Sequence, residues 1–321
     1  MNNISKQQKK ANIIGPRASF GLACSELKKE FDNLTLFSAD THTSAGLSRF
    51  KTTNEGSLYD VSIAEQALIS IAGGYALTGG IAVATTFAPF ITMRAYEMIR
   101  HNLGYMNAPL AVVGLASGLV FGELGYTHCC IEDVSILGSI PNISILSPID
   151  PSLIKEGLEE YLKNPNPLYL RITGEPNLTP IDLSNQRSKY IYQIGKGKEV
   201  VVLTNGSLTS VAYDAINSLS QETKDQISIY GINKIYPMDL REIEHDLKTA
   251  NKIVVIDEGV ENGFPAFFLL KHKDLAHKTQ VICHPKKFLS PGDYAYMLKQ
   301  AGLSVRSIAM SIQALIQAQS D

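Results

Sequence analysis

Cysteine is scarce in this 321-residue chain: Cys24, Cys129, Cys130 and Cys283 are all it has. None forms a C-x-x-C pair, so the spacing of a structural zinc site or a thioredoxin-type redox motif is missing. Cys129 and Cys130 are adjacent, and vicinal cysteines rarely bridge each other. A reduced, cytoplasmic chain is the expectation. Charge of one sign is also lacking. The 29 basic and 31 acidic residues leave a formal net charge of −2, which excludes the basic footprint of a nucleic-acid binder or an anionic-membrane surface. No run reaches the roughly 18 apolar residues of a spanning helix. The segment from Ala64 to Phe90 comes nearest, but Glu65, Gln66 and several glycines and prolines interrupt it. The N-terminus, MNNISKQQKKAN, has no apolar centre of a signal peptide. Walker and GxGxxG motifs and internal repeats are absent as well.

What the chain does have is the makings of two ordinary domains. It is 45% hydrophobic and 19% charged, a soluble globular composition. Residues 1–11 read as a flexible tail. From Arg17 to Phe31 apolar residues recur at helical spacing. LTLFSAD forms a strand ending at Asp40, followed by a polar loop, and strand ends of this kind are where α/β sheets hold ligands. Tyr59–Ile63 is extended, a helix runs from about Glu65 to Thr78, and Ile81–Thr85 is a buried strand. Phe90–Asn102 reads as a helix, PLAVVGLA as a strand, and a Gly-punctuated loop leads to His128. A turn of helix at Ile131–Leu137, strand ISILSPID, helix Pro151–Asn164 and strand PLYLRI complete a first domain over 12–185. A Pro-, Asn- and Ser-rich stretch places the boundary near 185–190. Beyond it, over 190–321, come strand EVVVLTNGS, helix Leu208–Leu219, strand ISIYGI, helix Leu240–Thr249, strands KIVVIDEG and QVICHP, and helices Gly292–Gln300 and Val305–Ala318. This alternation predicts two α/β domains with mainly parallel sheets.

Tyr59 to His128 gathers a carboxylate in a small-residue segment (Glu65), an aromatic pair (Phe87, Phe90) and a loop histidine (His128). In order, YDVSIAEQ, TFAPFITMRAYEMIR, GYTHCCIED, IPNISILSPID and PLYLRI resemble the pyrimidine-binding domain of transketolases. The similarity is closest to the short, split forms made of two subunits. It extends to 1-deoxyxylulose-5-phosphate synthases and, more distantly, to beta subunits of 2-oxoacid dehydrogenases. The resemblance covers roughly residues 12–318, and the C-terminal part fits the family's third domain. The GDG-type motif that holds Mg2+ and the cofactor's diphosphate has no counterpart here. The resemblance therefore implies a C-terminal (beta) subunit that binds thiamine diphosphate against a separate N-terminal subunit. That partner would ligate the Mg2+, this chain would supply no metal ligand, and the assembly would be an α2β2 heterotetramer.

The resemblance also assigns roles. Glu65 would bond the pyrimidine N1′ from a desolvated pocket and drive the tautomer shift that activates the cofactor. A helix N-terminal glutamate stabilised by the dipole is the plain alternative. Phe90 would stack on the pyrimidine beside Phe87, where ordinary core packing is the alternative. His128 would contact substrate oxygens and move protons, and Asp40 would lie near the thiazolium, unless it only caps a loop. Arg17 and Ser44 match two groups of a sugar-phosphate clamp. The chain departs from the family at Ala116, where a histidine is usual, at Leu124, where an aspartate reads a donor hydroxyl, and at Gly174, which leaves Arg171 alone of an arginine pair. The machinery of activation is kept while that of specificity is rewritten. Transfer of a two-carbon ketol unit between sugar-like substrates, in a specialised biosynthetic pathway, is the leading expectation. Acyloin formation or 2-oxoacid decarboxylation with pyruvate is the second, and a non-catalytic regulatory paralogue the third. Asp257 and Glu258 read as a strand-end turn or an interface pair.

Overall fold

A computed structural model describes residues 4–317. Its strands are β1 (Leu34–Ser38), β2 (Leu58–Asp60), β3 (Ile81–Phe87), β4 (Leu110–Ser117), β5 (Ser144–Leu146), β6 (Leu168–Thr173) and β7 (Gln186–Ser188). They continue as β8 (Ile191–Ile194), β9 (Val200–Thr204), β10 (Ile227–Ile232), β11 (Lys234–Tyr236), β12 (Lys252–Val260) and β13 (Thr279–His284). One seven-stranded sheet runs β11-β5-β6-β4-β3-β1-β2, and a six-stranded sheet runs β13-β12-β9-β10-β8-β7. The first sheet is parallel except where β11 pairs antiparallel with β5. The second is parallel over β13, β12, β9 and β10 and antiparallel at β8 and β7. The chain thus has the expected α/β fold with mainly parallel sheets.

Burial explains the strand sequences. Every residue of β4, LAVVGLAS, is buried, as a strand covered by helices on both faces must be. A large aliphatic side chain placed there contributes about 1.5–3 kcal/mol. The two sheets share one core: Leu68, Ile69 and Val112 from the first half pack in a single cluster with Leu203, Val255 and Phe264 from the second.

Several elements differ from the sequence reading. The tail expected over residues 1–11 carries a helix, Lys6–Ile14. Gln8, Ala11 and Asn12 lie on one buried face, and the Gln8 and Asn12 amides donate to Asp150 Oδ2 at 3.1 and 2.8 Å. Gly15, at φ +83°, then turns the chain into a separate helix, Pro16–Leu27. The single helix expected over Phe90–Asn102 is wound as a π-turn at Phe90–Arg94, an α-turn at Tyr96–Ile99 and a second π-turn at Arg100–Tyr105. Such π-segments frequently mark functional sites. The closing helix is Val305–Gln317, and Ala318 lies outside the described residues. Among the described residues no helix is long and apolar enough to cross a membrane.

Candidate active site

Strand β1 lies between β2 and β3. The chain leaves β1 to one side and returns on the other, which opens a crevice at the carboxyl ends of these strands. Asp40 follows β1, Phe87 ends β3 and the loop to His128 follows β4. Glu65 opens the helix Glu65–Leu77 that leads back to β3.

Glu65 is only 3% exposed, a rare condition for a glutamate without a partner. Arg94 supplies one, donating from Nη1 to Glu65 Oε1 at 2.8 Å. The same guanidinium stands over the Phe90 ring, 4.3 Å from its centroid. Phe90 meets His128 edge-on at 5.2 Å, and Phe87 lies 6.1 Å from Phe90 and 6.3 Å from His128. Phe121 closes the ring, T-shaped against Phe87 at 5.0 Å and carrying the Arg17 guanidinium at 5.1 Å. Thr127 Oγ1 and His128 Nδ1 are 2.9 Å apart, which holds the imidazole beside the aromatic wall. Glu65, Phe87, Phe90, His128 and Arg17 therefore form one continuous surface. A flat N–H-bearing group already fits between the Glu65 carboxylate and the Phe90 face, because the Arg94 side chain does so.

Arg17 and Ser44 line one small cavity of about 230 Å³ with Thr43, Gly46, Gly174 and Pro176. Arg17 Nη1 reaches the Ser44 carbonyl at 3.5 Å. Asp40 is exposed at a left-handed φ of +55°, and its N–H donates to Asp60 Oδ1 at 3.0 Å. Of the three positions expected to depart from the resembled family, Gly174 and Ala116 are buried. Gly174 has φ +83°, and a Cβ there would sit 2.5 Å from Ser207 Cβ. Ala116 is buried at φ +54°. Leu124 instead points outward and is 56% exposed.

Arg171 is not available to a substrate. It is buried, and its Nε donates to Asp133 Oδ2 at 2.8 Å. Tyr169 Oη donates to the same oxygen at 2.8 Å. Asp257 and Glu258 are not a turn either: both lie buried within β12. Glu258 Oε1 accepts from the Leu119 N–H at 2.7 Å, and Gly118 and Cys130 exchange backbone bonds of 2.8 Å beside it. The loop that ends at His128 is thus fastened at its root by the second sheet.

Sequence reasoning missed Phe121 and Arg94, and it read Glu258 as part of a strand-end turn or an interface pair rather than as the support of this loop. Phe121 was visible as an aromatic in a Gly-rich loop. Arg94 was visible as a cation four residues after Phe90, a spacing that places both on one helical face. Glu258 left no local signal, because its partner is remote in sequence.

Comparison with known proteins shows the family and the fold. The family described as transketolase, pyrimidine binding domain, matches residues 14–178. A 1-deoxy-D-xylulose-5-phosphate synthase of Desulfotalea psychrophila is 29% identical over 94% of this chain and 48% of its own length. The chain thus spans about half of that relative. One subunit of an apulose-4-phosphate transketolase from Actinobacillus succinogenes is 28% identical over 70% of this chain and 72% of its own. Among solved structures, a split-gene transketolase, described as an inactive beta4 tetramer, superposes with a TM-score of 0.80. It covers 95% of this chain and 98% of its own at 21% identity, so it speaks for the fold. With the family's pyrimidine-binding domain over residues 14–178, this chain belongs to the transketolase family.

Proposed function

We propose that this chain is the beta subunit of a two-subunit thiamine diphosphate enzyme that transfers a two-carbon ketol unit between sugar-like substrates. The observation that carries the reading is the junction of a buried carboxylate, Glu65, with the face of Phe90 and the edge of His128. Thiamine diphosphate, when bound, would supply an ionisable ring carbon as the nucleophile, and Glu65, Phe87 and Phe90 would hold its pyrimidine. Glu65 would bond the pyrimidine nitrogen from a dry pocket, where a shared proton is strongest. Phe90, backed by Phe87, would hold the ring by stacking. His128 would hold or move a proton on a substrate oxygen, with Nδ1 paired to Thr127 and Nε2 left for that task. Asp40, on the exposed end of β1, would face the partner. Mg2+ and the diphosphate would be held by the N-terminal subunit in an α2β2 assembly, and this chain would ligate no metal.

The cavity beside Arg17 and Ser44 favours a substrate other than a pentose phosphate. A phosphate clamp needs several converging cations. Here Arg17 is the guanidinium in the cavity beside Ser44, Gly174 leaves no room for a side chain, and Arg171 is committed to Asp133. Exposed Leu124 favours a second reading, because a pyruvate-derived acetyl unit has no hydroxyl to recognise.

The test is turnover of the chain with its partner, Mg2+ and thiamine diphosphate, offering hydroxypyruvate and pyruvate as rival donors. Hydroxypyruvate consumption that falls by about 10²-fold or more in Glu65→Ala is the expected result. Preference for pyruvate transfers the case to acetyl chemistry. Consumption of neither donor leaves a regulatory paralogue.

A further inference from the structure

Arg94 occupies the seat that the proposed function gives to the cofactor's pyrimidine. Its guanidinium is flat, stands 4.3 Å over Phe90 and donates a hydrogen bond of 2.8 Å to Glu65. A stacked aminopyrimidine would use the same ring face and the same carboxylate. Two flat groups cannot share one face of one ring at that distance. We propose that Arg94 is a placeholder, which satisfies the buried carboxylate and covers the aromatic face while the cofactor is away and swings out when it binds. This inference rests on the thiamine reading of the site.

The local structure suits an exchange of this kind. Without Arg94, Glu65 would be a nearly buried carboxylate lacking its ion-pair partner, a costly state. The guanidinium meets that cost with a hydrogen bond and a cation–π contact. The side chain is 48% exposed, so its way to solvent is open. Its backbone is held independently, since Gln66 Nε2 donates to the Arg94 carbonyl at 3.3 Å. Only side-chain torsions need change. The π-turn Phe90–Arg94 keeps ring and guanidinium on one face. Displacement lowers the apparent affinity for the cofactor by the fraction of time that the seat is taken. It also protects the empty site from a carboxylate facing exposed aromatics.

The experiment measures thiamine diphosphate binding to the assembled two-subunit protein by calorimetry, for wild type, Arg94→Ala and Arg94→Lys. If the seat is occupied about nine-tenths of the time, Arg94→Ala tightens binding by about tenfold. Arg94→Lys falls between, because an ammonium pairs with the carboxylate but has no flat face. In parallel, phenylglyoxal labelling mapped by mass spectrometry reads the arginine directly. The rate of labelling at Arg94 should rise at least severalfold when thiamine diphosphate is added. Equal or weaker binding in Arg94→Ala, or protection of Arg94 by the cofactor, would mean that the arginine stays and contacts the ring, and overturns the placeholder alone. Failure of the wild-type assembly to bind thiamine diphosphate overturns the reading of the site, and the placeholder with it.

Discussion

Burial pushes the Glu258 carboxyl up to about 7, against the pull of Arg171 and the Leu119 N–H toward the ionised form. Its ordinary value is 4.5. Between those two values the native chain binds more protons at this site than the unfolded chain does. Stability from this group is therefore fully present at the acid end of the window and is lost as pH rises through about 7. Glu258→Gln keeps an oxygen for the Leu119 N–H and cannot titrate. In thermal melts from pH 5 to 8, wild type should lose ground to Glu258→Gln as pH rises. A difference that stays constant with pH would show that Glu258 does not titrate there. His284 works in the opposite direction: burial lowers it to about 4, so its contribution is lost as pH falls from about 6.5 toward that value. Its Nδ1 accepts from the Lys286 N–H at 3.2 Å, which leaves Nε2–H to face Tyr126 Oη at 2.9 Å.

The loop from β4 to His128 shows how an element can be legible in outline and illegible in its support. Its glycines announce a turn, and His128 stands out on the same stretch. Nothing near it announces that Glu258, 139 residues beyond Leu119, accepts from the Leu119 N–H. Gly118 makes the dependence testable. It sits at φ +82°, and a Cβ there would fall 2.4 Å from the Glu258 carboxyl carbon. Gly118→Ala must therefore strain the backbone and push the carboxylate from Leu119. A loss of about 2–4 kcal/mol in stability is expected, with faster amide exchange across residues 118–130 as the diagnostic. Exchange confined to the wild-type rate would show that the loop is held elsewhere. The strands, by contrast, are readable because β4 and β12 are near-continuous apolar runs. The helix Lys6–Ile14 escapes notice because its buried face is amide rather than apolar, and its partner, Asp150, is again remote. The π-turns at Phe90–Arg94 and Arg100–Tyr105 escape because helical periodicity does not distinguish one extra residue per turn at such short lengths.

Across the whole molecule, the two sheets are joined by more than a linker. Strand β11 comes from the second half of the chain and pairs with β5 of the first sheet. A buried polar network also links the two halves. Arg171 and Tyr169 of β6 converge on Asp133, Arg171 Nη1 lies 3.5 Å from Asn205 Oδ1, and Asn205 Nδ2 donates to Asp257 Oδ1 at 3.0 Å. Removing one member of such a buried pair strands the other charge in a dry interior, at about 3–5 kcal/mol. Arg171→Met should therefore destabilise the whole molecule by that order. A double variant, Arg171→Met with Asp133→Leu, should recover part of the loss, since Asp133 is no longer stranded while Asp257 and Glu258 still lose the guanidinium. The shared core, in which Leu68, Ile69 and Val112 pack with Val255 and Phe264, predicts one cooperative denaturant transition for all of these variants. Circular dichroism and tyrosine fluorescence should give coincident midpoints. Separate midpoints in Arg171→Met would instead mean that the polar contacts running from Arg171 through Asn205 to Asp257 are what couple two halves able to fold apart, and that the shared apolar core is not sufficient to hold Glu258 against the loop that carries His128.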